Sequence, residues 1–141
     1  MNISARNVFK GTITSVIKGA VNAEIDLTLD DGTSICSVIT IGAVEKLGLT
    51  EGIAAYAIIK ANSIILGTNL HEATISARNL MCGKVQKVID GPVSAEIDIE
   101  IGAGTVLSAV ITHESARKLA LKEGSHACAI FKASSVLIGI E

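Results

Sequence analysis

The chain has 141 residues, with 12 Lys or Arg against 14 Asp or Glu, and 49% of it is hydrophobic while only 2% is aromatic. Two Phe, one Tyr and no Trp leave few stacking platforms, and a net charge of −2 leaves no basic face, which argues against an oligonucleotide binder. No run of about 18 apolar residues occurs, and the N-terminus lacks the apolar stretch of a signal peptide, so neither a membrane span nor a leader is expected.

The chain opens on ISARN at 3–7 and repeats it at 75–79. Arg6 and Arg78 stand 72 positions apart, and the same offset aligns Gly11 with Gly83, Thr40 with Thr112, Lys60 with Lys132 and Gly67 with Gly139, with no insertion or deletion. Two tandem copies, 1–68 and 74–141, are therefore expected, joined by a short polar linker. Units this small expose much surface for their volume, so fusion, oligomerisation or both are expected to offset it.

Residues 3–17 read as a long strand, bent or bulged near Gly11. After a turn at Gly19, NAEIDLTL alternates strictly: Ile25, Leu27 and Leu29 fall on one side, and Glu24, Asp26 and Thr28 on the other. Ile97, Ile99 and Ile101 repeat the pattern, and period two predicts a half-buried strand. DDG at 30–32 and GAG at 102–104 predict hairpins into a third strand. Ile41, Val44 and Leu47 then suit a short helix ended by Gly48, with HESARKLA in its place in the second copy. GIAAYAIIK and GSHACAIFK predict strands covered on both faces, and IILG and VLIG predict a last short strand in each copy. The count gives an all-β protein of two tandem OB-like five-stranded barrels, each with one short helix; a small sandwich would give much the same strand list.

Several polar groups recur in both copies, among them Ser4, Arg6 and Asn7 with Ser76, Arg78 and Asn79, Thr40 with Thr112, and Lys60 with Lys132. The threonines stand just before the predicted helices, where Thr caps the end that carries unpaired backbone N–H groups and partial positive charge. Ser115 adds a hydroxyl in the second copy. Cations, hydroxyls and a helix N-terminus are all donors, a set that suits a small tetrahedral oxyanion. A plain helix cap and a solvated strand-edge lysine explain the same residues without a ligand.

Other chemistry is poorly supported. Cys36, Cys82 and Cys128 are odd in number and unmatched between the copies, so no disulfide framework is expected and a reducing cytosol is. Cys82, Cys128 and His126 lack metal-site spacing, and no metal cation is expected. His71 and His113 read as linker and helix-surface residues. Glu24/Asp26 and Glu96/Asp98 lie on polar strand faces, where solvation accounts for them. No GxSxG, HExxH or phosphate-loop motif occurs, so no enzyme is expected.

ISARN, GxVxAEID, VIT before a short helix, LxLxEG and the IKA or FKA segment together resemble the molbindin family, the small Mop domains that bind molybdate and tungstate. The resemblance covers nearly the whole chain, twice, with no DNA-binding or ATPase segment expected ahead of it. It implies OB-like barrels in a pseudo-sixfold body, for a tandem member a trimer, with molybdate or tungstate bound between units and no covalent cofactor. The site residues it implies are Ser4, Arg6, Thr40, Lys60 and Ala61, and Ser76, Arg78, Thr112, Ser115, Lys132 and Ala133; Ala43 replaces the serine in the first copy. A second type of site is implied at Ala20, Val21 and Asn22 and at Pro92, Val93 and Ser94. The function so implied is cytoplasmic oxyanion storage or buffering, with no nucleic acid or membrane partner. The alternative is an oxyanion-sensing module that binds a regulator or transporter.

Overall fold

The computed structural model describes every residue except His71. The described residues form β1 (Asn7–Lys18), β2 (Asn22–Leu29), β3 (Ser34–Thr40), α1 (Ile41–Leu47), β4 (Ala54–Ile59), β5 (Ile65–Gly67), β6 (Asn79–Asp90), β7 (Ser94–Gly102), β8 (Thr105–Thr112), α2 (His113–Lys118), β9 (His126–Phe131) and β10 (Val136–Gly139). Short 3-10 turns at Ala61–Ser63 and Ala133–Ser135 lead into β5 and β10.

Two five-stranded antiparallel sheets result, in the orders β10-β4-β1-β2-β3 and β5-β9-β6-β7-β8. The first sheet curls until its edges meet: Ser37 Oγ on β3 donates a 2.7 Å hydrogen bond to the carbonyl of Val136, where β10 begins. The alternation predicted for the second strand holds, since Ile25, Leu27, Ile97 and Ile99 are all fully buried. Each contributes about 1.5–3 kcal/mol by leaving water. Ile101 departs from it, because the β7–β8 register shifts between Glu100 and Gly102 and leaves Ile101 only half-buried.

The fifth strand of each sheet comes from the other copy, which the strand count had not anticipated. One compact unit is Met1–Ile59 with Lys132–Glu141, and the other is Lys60–Phe131. The physical reason lies in the repeat: β5 and β10 occupy matching places in near-identical copies, so either sheet edge accepts either strand, as in domain swapping. The exchange brings the chain's two ends into one unit, where the N-terminal ammonium lies 3.1 Å from the Glu141 carboxylate. That hydrogen bond, then the ammonium's charge, hold the Glu141 carboxyl below its usual range.

The long first strand starts at Asn7, leaving 3–6 ahead of it, and its bulge falls between Ile13 and Ser15 rather than at Gly11. Gly11 serves the approach of β2 instead: a Cβ there would lie 2.6 Å from the Thr28 carbonyl oxygen. Hairpin turns sit where DDG and GAG place them, with Gly32 and Gly104 both at φ +89. Asp31 Oδ1 accepts from the Thr33 N–H at 2.9 Å and tightens the first of them.

α1 ends as predicted on Gly48, at φ +63, whose N–H bonds back to the Glu45 and Val44 carbonyls. In the second copy Ala120 takes the same place at φ 51, and α2 ends early, at Lys118. A Cβ in the left-handed region costs about 1–2 kcal/mol, and glycine relieves that at some unfolded-state cost. Ala120→Gly should therefore raise stability by about 1 kcal/mol in urea unfolding, whereas Gly48→Ala should lower it by a similar amount.

Candidate functional site

The structure divides the repeated motif into an anchor and an exposed arm. Asn7 is 1% exposed, and its Nδ2 donates to the Ile59 carbonyl at 3.2 Å. Asn79 is buried in the same way. These side chains fix where β1 and β6 begin, since a buried amide without partners would be costly. Ser4, Arg6, Ser76 and Arg78 are exposed ahead of those strands.

Strand register fixes the cations. Asn7 faces Ile59 at one end of the β1–β4 ladder, so Arg6 immediately precedes and Lys60 immediately follows that terminal pair. Asn79 faces Phe131 likewise, flanked by Arg78 and Lys132. Both lysines are exposed, and each begins a 3-10 turn, its carbonyl accepting from Ser63 at 3.0 Å or Ser135 at 2.9 Å. The following Ala61 and Ala133 are buried. Through the strand exchange, Lys60–Ala61 belong to the second unit and Lys132–Ala133 to the first.

The threonines stand beside the residues assigned to a second type of site. Asn22 faces Thr40 across β2–β3, and Ser94 faces Thr112 across β7–β8. The Ile41 N–H donates to the Val21 carbonyl at 3.0 Å, and the His113 N–H to the Val93 carbonyl at 2.8 Å. Each unit therefore sets its cap threonine against its own turn, Ala20–Asn22 or Pro92–Ser94.

The helix N-termini offer less than their sequence position implies. Both helices are short. In α1 the Ile41 N–H is taken by Val21 and the Ala43 N–H by Thr40 Oγ1, at 3.1 Å. What Thr40 keeps is its hydroxyl proton. In α2 the Ser115 N–H takes up Thr112 Oγ1 at 3.1 Å, and the Thr112 hydroxyl donates to Ser115 Oγ at 2.8 Å. The donor turned outward there is the Ser115 hydroxyl, so the copies present different hydroxyls.

Sequence reading missed the tie between His113 and Asp90. His113 Nδ1 lies 2.7 Å from Asp90 Oδ1, linking the end of β6 to the start of α2 across the turn that holds Pro92. The first copy has Ile41 and Lys18 at those places. The signal was legible: at an offset of 72, both positions change together. His71 lies outside the described residues.

Two further expectations are revised. Glu24 and Asp26 are half-buried rather than freely solvated, because β2 is flanked by β1 and β3. Their carboxylates and the Cys36 thiol lie within 4.8 Å of one another, and Asp26 faces Cys36 in register. The second unit has Ser108 in the cysteine's place, donating to Asp98 Oδ1 at 2.7 Å, so the group reads as a cross-strand polar rung. Cys82 and Cys128, expected as separate thiols, face each other across β6–β9 and are joined as a disulfide. Their register, invisible in the sequence spacing, is the reason.

Comparison with known proteins agrees with this architecture. The TOBE domain model matches residues 3–66 and 75–138. The molybdenum-pterin-binding protein MopA of Rhodobacter capsulatus is 42% identical over 140 residues, covering 99% of this chain and 53% of MopA. The chain spans about half the length of this relative. Molybdenum-pterin-binding protein 1 of Clostridium pasteurianum is 39% identical over 66 residues, covering 47% of this chain and 97% of that protein. A solved structure of the cytoplasmic molybdate-binding protein ModG, with molybdate bound, is 39% identical, covers 100% of both chains and superposes with a TM-score of 0.96. That match bears out the tandem OB-like fold. The chain belongs to the TOBE-domain family, as a protein of two tandem Mop-type domains.

Proposed function

We propose that the chain binds molybdate or tungstate reversibly, as a cytoplasmic store or buffer, and makes or breaks no covalent bond. The observation that carries this reading is the full-length match to a molybdate-binding protein at 39% identity, by a chain that repeats exposed Ser, Arg, Thr and Lys donors in both copies. Ser4, Arg6 and Thr40, and Ser76, Arg78 and Ser115, supply hydroxyl and guanidinium protons, while Thr112 spends its own on Ser115 Oγ. Lys60 and Lys132 supply ammonium protons beside the backbone of Ala61 and Ala133. A tetrahedral dianion only accepts hydrogen bonds, and those from cations are the strongest. The turns at Ala20–Asn22 and Pro92–Ser94 form a second, mainly backbone, type of site.

The binding form is a trimer. Large apolar residues lie exposed in matched pairs: Ile17 with Ile89, Val21 with Val93, Ile3 with Ile75, and Ile65 with Leu137. Val21 and Val93, 72% and 75% exposed, sit on the turns beside the cap threonines. Repeated exposure of this kind favours burial between copies. Val21→Asp with Val93→Asp should shift the light-scattering mass from about three chains toward one, because a charge in an apolar contact is strongly disfavoured.

Equilibrium dialysis with molybdate against sulfate tests the function. Retention of molybdate with sulfate passing freely is the expected result, and equal indifference to both would refute the reading.

A further inference from the structure

We propose that Cys82 and Cys128 form a reversible thiol–disulfide pair, a redox-modification site confined to the second unit and independent of the anion reading. The two residues face each other on adjacent strands and are bonded. Side chains two apart on a strand share a face. Cys82 and Lys84 therefore share one with Cys128 and His126, and the register pairs Lys84 with His126 as the next rung. The two sulfurs thus stand one same-face rung from two basic side chains. A small pocket lined by Asn69, Cys82, His126, Ala127 and Cys128 opens onto them.

The pair is not required to hold the sheet. In the first unit Lys10 faces Tyr56 on the same rung, within a ladder of the same length and register. The fold therefore tolerates both an open and a closed pair. Access is one-sided, since Cys82 is exposed while Cys128 is only 2% exposed. Cys36 is buried on β3 of the first unit, outside the pair.

Exchange with a small dithiol reductant proceeds through the accessible sulfur. The reductant's thiolate attacks Cys82 Sγ, the sulfur–sulfur bond breaks, and the Cys128 thiolate leaves beside His126 and takes up a proton. The reductant's second thiolate then attacks its own sulfur in the mixed disulfide. This releases the Cys82 thiolate, which is protonated in turn, and leaves the reductant as a disulfide. Two electrons and two protons pass to the protein. In a reducing compartment such a pair cycles rather than serving as a staple.

The test is thiol mapping under native conditions. In a Cys36→Ser background, no thiol should react with iodoacetamide after treatment with oxidised glutathione. After dithiothreitol, two should react per chain, on Cys82 and Cys128, with the β circular dichroism retained and oxidised glutathione restoring the closed form. In Cys128→Ser the remaining Cys82 should alkylate about tenfold faster than Cys128 does in Cys82→Ser, following access. Cys82→Lys with Cys128→Tyr, which copies the first unit's rung, should fold and show no redox response. Reduction only in denaturant, loss of the β signal on reduction, or free Cys82 and Cys128 thiols after oxidation would each overturn the proposal.

Discussion

Arg78→Ala combined with Lys132→Ala should weaken molybdate binding about 100-fold or more and leave the unfolding midpoint nearly unchanged. Each cation offers a charge-assisted hydrogen bond worth about 1.5–3 kcal/mol, and about 1.4 kcal/mol is tenfold in affinity. Losing two such bonds therefore costs at least two decades. Both side chains are exposed, so truncation leaves no buried hole. Their neighbours Asn79 and Phe131 hold the strand ends in place without them. Arg117→Ala is the matched control: that guanidinium pairs with Glu114 on the surface of α2, and its loss should leave affinity within about twofold. Titration calorimetry on the three proteins reads the result. Unchanged affinity in the double variant would show that the cations flanking the Asn79–Phe131 end of the β6–β9 ladder do not hold the anion.

Gly83→Ala should destabilise the second unit by about 3 kcal/mol or more. A Cβ at Gly83 would lie 1.8 Å from the Glu100 carbonyl oxygen and 2.7 Å from its carbonyl carbon. Those are backbone atoms of the neighbouring strand, with no rotamer by which to yield. The β6–β7 ladder must open locally, at the upper end of what overpacking costs. Gly11→Ala should cost less, since its closest approach is 2.6 Å. Urea unfolding followed by circular dichroism measures both. A Gly83→Ala protein as stable as the parent would mean that β6 and β7 are not packed as closely as described.

Much of this architecture was legible because local signals and the repeat agree. The alternation through Ile25 and Leu27 named a buried face, Gly32 and Gly104 marked turns that need φ > 0, and Thr40 and Thr112 marked helix starts. The strand exchange was hidden because β5 and β10 carry equivalent sequence, so no local pattern states which sheet each joins. The disulfide was hidden for a related reason. Cys82 and Cys128 are 46 residues apart, and only the register of β6 on β9 brings them face to face. Within the proposed anion site, residue types pointed to donors, but the sequence did not show that Ile41 and Ala43 spend their N–H groups on Val21 and Thr40. Ala120, which keeps the turn geometry of Gly48 without its freedom, shows that a repeat can preserve a backbone while losing its best residue.

The most direct test of the central claim is isothermal titration of the protein with molybdate, tungstate and sulfate, after light scattering has fixed its mass. The account predicts a trimer that binds molybdate and tungstate tightly and ignores sulfate. An absence of binding heat with molybdate and tungstate would contradict it.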